Sequence, residues 1–288
     1  MTFLIYYHSD DYAFNIDHAR RILSCRDKGA LNSVSILANS ACLAEAMEIL
    51  PGDLAVSIHL NFCEGPCVAD PARIPLLVDK RGYFCRSFAQ MLVLSFTRHR
   101  EVRRQLAIEC SAQIRKVLSF LPDDYALRID GHRHYHMIPA VFEAVYMAAQ
   151  KTGRKTAYVR IPRDPWRIFL LHPRLLRHTR PLDIVKNLVL SALSFRNRRL
   201  YGQWKEPERA VFFGMMCAGE MTSERVRALL PFYEKQAAKE KKHLELMFHP
   251  GILLKGEPFL DPSSVHLPFY ESENRNLEKE TLRGLGTE

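Results

Sequence analysis

The chain has 288 residues, 47% of them hydrophobic and 25% charged, with 13 Gly and 16 Pro. That composition excludes a disordered or fibrous protein and supplies a core for one large α/β domain or two small ones. The formal charge of +9 lies in one place: from Arg160 to Lys205 eleven Lys/Arg stand against two acids, Asp164 and Asp183, so an anionic partner is expected there.

Phe3–Tyr7 reads as a buried strand and is followed by a helix near 16–26. Ser33–Leu37 is a second strand with a helix near 43–50, and Leu54–Leu60 is a third. A Pro- and Gly-rich connection from Gly65 to Gly82 precedes helices from about Ser87 to Leu121. Ala126–Ile129 is a fourth strand, with a helix over 140–151, and Ala157–Ile161 is a fifth. The basic segment follows, then a strand Ala210–Phe213, a helix over 223–239, a strand Leu244–Phe248 and a last helix over 273–282. Short apolar strands alternating with helical patterns predict a parallel sheet with crossover helices. About seven strands suit a distorted (β/α) barrel, and a doubly wound open sheet is the alternative. No repeat or domain boundary is visible, so a single domain over 1–288 with a basic insertion at about 163–205 is expected.

The seven cysteines are odd in number, scattered and without zinc-finger spacing, which predicts reduced thiols in a cytoplasmic protein. Residues 1–8 lack the basic and apolar regions of a signal peptide, and the longest strongly apolar run, Leu188–Phe195, is too short to span a bilayer.

The densest chemistry is the run Asp130-Gly-His-Arg-His-Tyr-His136, where His132, His134 and His136 alternate between a strand and a helix. Functional groups of parallel α/β folds gather at the carboxyl ends of the strands. After the first strand come His8, Asp10 and Asp11; at the third, His59, Asn61 and Glu64; after the fourth, Asp130 and the histidines; at the fifth, Arg160; and after the last, His249. One carboxylate and two imidazoles from different strand ends make a ligand set for a catalytic divalent cation. A second carboxylate can take a proton from water, and Asp10-Asp11 supplies both roles if their side chains alternate along extended backbone. Taken singly, Asp10-Asp11 would read as a helix cap, and His59 and His249 as structural histidines; their common rim makes them a site.

These elements resemble the YdjC-like carbohydrate deacetylase family, the chitooligosaccharide deacetylase group. The family's Asn-Ala-Asp-Asp-Phe-Gly is matched by His8-Ser-Asp-Asp-Tyr-Ala13, and its Gly-x-His-Leu-Asn-Leu by Ser57-Ile-His-Leu-Asn-Phe62. Its Asp-Gly-His-x-His-x-His is matched by Asp130–His136, and its Glu-x-x-His-Pro-Gly by Glu245–Gly251 with one extra residue after the Glu. The resemblance implies a distorted barrel and metal-dependent removal of N-acetyl groups from amino sugars. It assigns one divalent ion, zinc or magnesium, to Asp11, His59 and His132, the general base to Asp10 and the general acid to His249. Asp130, His134, His136, Asn61, Glu64 and Arg160 are then substrate-facing or supporting groups. Two departures, His8 for Asn and Tyr12-Ala13 for Phe-Gly, lie beside the proposed base.

Within the basic segment, Val185, Leu188, Val189, Ala192 and Leu193 recur at helical spacing. Two readings stand: an ordinary amphipathic helix packed on the barrel, or a peripheral contact with an anionic membrane, which suits an amino sugar carried on a polyprenyl phosphate. No nucleic-acid motif is present. The alternatives to the lipid-linked substrate are a soluble chitooligosaccharide deacetylase and a non-catalytic glycan- or lipid-binding protein.

Overall fold

A computed structural model describes residues 3–205 and 207–286. Seven strands, β1 (Ile5–Tyr12), β2 (Ser33–Leu37), β3 (Ala55–Leu60), β4 (Leu127–Gly131), β5 (Thr156–Val159), β6 (Ala210–Phe213) and β7 (His243–Phe248), form one sheet in the order β5-β4-β3-β2-β1-β7-β6. Every pair in that sheet is parallel. The helices are α1 (Ile16–Asp27), α2 (Leu43–Glu48), α3 (Phe88–Thr97), α4 (His99–Leu118), α5 (Pro139–Lys151), α6 (Trp166–Leu171), α7 (Pro181–Tyr201), α8 (Ser223–Glu240), α9 (Leu267–Tyr270) and α10 (Asn274–Leu285). The two edge strands approach each other: Glu208, just before β6, forms a parallel bridge with Tyr158 and donates its N–H to the Ala157 carbonyl at 2.6 Å. The sheet thus curls into a distorted barrel, as the strand pattern predicts.

Local sequence explains the boundaries. Asn15 caps α1 by accepting from the His18 N–H, and Ser87 and Gln90 form a reciprocal capping box at α3. β2 is buried along its whole length, as a strand enclosed on both faces must be. β1 departs from expectation. It does not end at Tyr7 but continues through His8, Ser9, Asp10 and Asp11 to Tyr12, all buried. Polar residues hide this extension, because the barrel interior they enter is itself polar.

The crossover from β5 to β6 is the basic segment, comprising α6, a 3-10 turn over Pro173–His178, and α7. The face of α7 turned to the protein is partly polar: Asp183, Asn187 and Asn197 are buried with Leu190 and Leu193. Asn187 accepts from the Asp164 N–H at 2.8 Å, and Asn197 donates to the Met137 carbonyl at 2.8 Å. Of the apolar stripe, which one of the two readings would pack on the barrel, Val185, Leu188, Val189 and Ala192 are exposed and only Leu193 is buried. Packed polar side chains, each hydrogen-bonded, have decided which way the helix turns.

Candidate active site

A register shift in β1 between Ser9 and Tyr12 marks a bulge, and Asp11 within it has a left-handed backbone (φ 68°). The two aspartates are therefore separated by the bulge and not by the simple alternation of an extended strand; bulges at barrel rims commonly re-aim side chains in this way. The histidine run is likewise not extended. It forms a 3-10 turn with Arg133 and His134 at φ 50° and 62°, so the three rings do not simply alternate between two faces. Gly131 makes the turn possible, since a Cβ there would lie 2.6 Å from the His136 ring.

Asp11, His59 and His132 converge. Asp11 Oδ1 lies 2.9 Å from His132 Nδ1 and 3.6 Å from His59 Nε2, and one ligand atom of each falls within 4.8 Å of the others. His59 Nδ1 donates to Asp130 at 2.6 Å, while His59 Nε2 is buried without a hydrogen-bond partner. His132 turns Nδ1 to Asp11, and its Nε2 lies 3.2 Å from Glu64 and 3.0 Å from the Tyr270 hydroxyl. Each imidazole thus has a carboxylate on its far nitrogen and presents the other to the cluster, the arrangement that orients histidine ligands. The orphaned His59 nitrogen and the N,N,O donor set fit a divalent cation.

Asp10 stands apart from that cluster. Arg160 Nη1 reaches both its carboxylate oxygens, at 2.8 and 2.9 Å, while the same guanidinium donates to Glu245 at 2.8 Å and lies 3.1 Å from Asp130. Burial by itself would raise the Asp10 carboxyl, but the Arg160 and His59 charges hold it well below the usual range. Asp11 behaves alike, with His132 and Arg275 outweighing burial. Glu64 is pulled down to about 2 against its burial by His132, Tyr270 and Ser264. His8, at the family's Asn position, is buried between Ser33 (2.7 Å) and Ser35 (2.5 Å), with Nε2 3.3 Å from Asp10.

His249 follows β7 and is partly exposed, with Nε2 4.0 Å from Asp10 Oδ2 and Nδ1 3.6 Å from Glu278. The Asp10 carboxylate and the His249 imidazole therefore face one another across 4.0 Å. His134 is buried near Phe212, its Nδ1 without a partner, and burial and His136 depress its basicity.

Of the groups expected to face substrate or to support the site, three make supporting contacts. Arg160 is wholly buried and only supports the carboxylates. His136 Nε2 donates to the Arg160 carbonyl at 3.0 Å. Asn61 builds the turn that delivers Glu64, accepting from the Cys63 and Glu64 N–H groups and donating to the Glu64 carbonyl.

The YdjC-like protein family profile matches residues 4–283, nearly the whole chain. The chain belongs to the YdjC-like family. It is 30% identical over 153 residues to the carbohydrate deacetylase of Thermoanaerobacter pseudethanolicus, covering 52% of this chain and 58% of that one. It is 27% identical over 161 residues to the mouse carbohydrate deacetylase, covering 54% and 49%. With the human carbohydrate deacetylase identity is 25% over 250 residues, 84% and 73% of the two chains. The chain thus spans about half the length of the first curated relatives it matches. A crystal structure solved under the name of a cellobiose-phosphate cleavage protein from Enterococcus faecalis V583 superimposes with a TM-score of 0.67 at 18% identity, covering 98% of this chain and 91% of that one. The YdjC-like barrel is the fold these chains share.

Sequence reasoning missed the tail's part in this YdjC-like site. Arg275 donates to Asp11 at 2.7 Å and is held among Phe14, Phe269 and Tyr270, Tyr270 bonds Glu64 at 2.7 Å, and Glu278 accepts the His249 N–H. None of these carries a motif signal; each reaches the site from the C-terminal segment only once the barrel has formed.

Proposed function

We propose that this YdjC-like protein is a metal-dependent carbohydrate deacetylase, hydrolysing the acetamide of an N-acetylated amino sugar to acetate and a free amine. The observation that carries this reading is the convergence of Asp11, His59 and His132 within 4.8 Å, with Asp10 next to Asp11 in β1 and 4.0 Å from His249. A divalent cation held by those three residues would polarise the carbonyl and acidify water. Zinc suits two imidazoles and a carboxylate, and magnesium is the second choice. Asp10, kept ionised by Arg160, takes a proton from the attacking water as the new C–O bond forms. His249, opposite Asp10, supplies a proton to the departing nitrogen as the C–N bond breaks. Arg160 holds Asp10 in place and keeps it a carboxylate, at the expense of basicity.

The preferred substrate form is an N-acetylhexosamine carried on a polyprenyl phosphate at the cytoplasmic face of a membrane; the exposed basic and apolar character of α6 and α7 supports it. The test is acetate release from a lipid-carried and a soluble N-acetylated sugar, each with and without chelator. Activity that survives chelation and both Asp11→Ala and His132→Ala would end the metal-hydrolase reading. Turnover of the soluble oligosaccharide alone would transfer the substrate to that class.

A further inference from the structure

We infer that the face made by α6, the Pro173–His178 turn and α7 docks on the surface of an anionic lipid bilayer. The inference stands on this surface alone and does not rest on the deacetylase chemistry. Leu170, Leu171, Leu182, Val185, Leu188 and Phe195 are each more than half exposed, an arrangement the reverse of an ordinary surface helix. On α7 the exposed Leu182, Val185, Leu188 and Phe195 recur at helical spacing and form one stripe, and an exposed apolar stripe rimmed by charge marks an interaction surface. Its charge identifies the occupant. Of the eleven Lys/Arg between Arg160 and Lys205, only Arg160 is buried, and the other ten are exposed. The two acids of the segment, Asp164 and Asp183, are both wholly buried, so every exposed charge from residue 160 to 205, among the described residues, is positive. Apolar side chains interleaved with Arg and Lys suit lipid headgroups above acyl chains.

The geometry also sets the depth and the direction of docking. No described helix is long and apolar enough to cross a membrane, so the contact is peripheral. The face begins at the rim that carries the site. Asp164, next to α6, accepts from the Gly214 N–H at the carboxyl end of β6, and Arg180, at the start of α7, reaches the Ala218 carbonyl at 2.6 Å. The face starts at the carboxyl-end rim and runs along α7 toward the start of β6, so docking lays this flank of the barrel on the bilayer, with the rim at one end of the contact.

The test is co-sedimentation of the full chain with phosphatidylglycerol-containing and with phosphatidylcholine-only vesicles, at low and high salt, alongside the oligomeric state in solution. Binding to the phosphatidylglycerol vesicles that falls with salt is expected. Each Lys/Arg near the surface contributes roughly a fivefold factor, so the triple variant Arg196→Ser, Arg198→Ser, Arg199→Ser should bind about a hundredfold more weakly. Val185→Ser with Leu188→Ser should weaken it as well, and both proteins should retain the wild-type thermal midpoint. No sedimentation of the wild-type chain at low salt, or unchanged binding by both variants, would overturn the inference. A dimer dispersed by the Val185 and Leu188 substitutions, without vesicle binding, would assign the face to a second copy of the chain. Because binding is read without turnover, an inactive protein that binds vesicles, or an active one that does not, separates this inference from the catalytic reading.

Discussion

The guanidinium of Arg160 sits 2.8 and 2.9 Å from the two carboxylate oxygens of Asp10, inside the barrel and out of reach of solvent. The same group satisfies Glu245 and lies beside Asp130, so three buried anions share one cation. Removing one partner of a buried ionic cluster leaves the others uncompensated, which costs about 3–5 kcal/mol. Arg160→Ala should lose stability on that scale, read as a fall in the urea midpoint. Arg160→Met with Glu245→Met should recover part of it.

Asp10→Asn removes a proton acceptor without touching the cation cluster. Its kcat on an N-acetylated sugar should fall roughly a hundred- to ten-thousandfold, with KM and bound metal little changed. Asp11→Ala should lose metal and activity together. Metal content measured by elemental analysis on both purified proteins distinguishes the two roles.

Glu278 accepts the His249 N–H and faces its Nδ1 at 3.6 Å. In the proposed reaction its role would be to position His249. Glu278→Ala should lower kcat at least tenfold, with KM held, while Glu278→Gln, which can still accept the backbone N–H, should recover part of the loss. Equal activity in the alanine and glutamine proteins would count against positioning.

Ala13 carries φ 78° where the family motif has Gly. A left-handed alanine is strained by about 1–2 kcal/mol, and loss of its buried methyl offsets about 0.8 kcal/mol of any relief. Ala13→Gly should therefore stabilise the chain by up to about 1 kcal/mol, seen as a small rise in thermal midpoint. The structure thus accounts for the glycine of the family pattern and for the strain its absence brings here.

Burial pushes His18 down to about 3 and His136 down to about 4. Both bind a proton more readily unfolded than folded, so they stabilise the fold above pH 6.5. That contribution is lost as pH falls from 6.5 toward 4. Asp164, held up to about 6 by burial, acts in the opposite sense, its folded form binding the extra proton between pH 3.8 and 6. His134, likewise depressed by burial, acts in the same sense as His18 and His136, so against one carboxyl stability should fall by a few kcal/mol between pH 6.5 and 4, and His18→Phe should flatten that slope in denaturant titrations.

The fold was legible because its strands are short apolar runs, and the rim was legible because Asp and His follow them. The extension of β1 was not: His8-Ser-Asp-Asp reads as a loop until Arg160, Ser33 and Ser35 are known to receive it. The spacing of Val185, Leu188 and Val189 announced a helix correctly, yet not its facing, which Asn187 and Asn197 decide through backbone partners distant in sequence. Tyr270, Arg275 and Glu278 were invisible, since a polar tail offers no pattern by which one charged residue differs from its neighbours.

β1 lies between β2 and β7, pairing residues 5–9 with 244–248. β1 therefore waits for β7, far later in the chain, before its second edge is covered. Asp10 and Asp11 are synthesised long before His249 and Arg275, which complete their surroundings. Such non-local pairing makes assembly slow and leaves an open edge on the growing chain. Truncation anywhere before residue 243 would leave β1 paired on one edge only, a substrate for chaperones rather than a smaller folded domain.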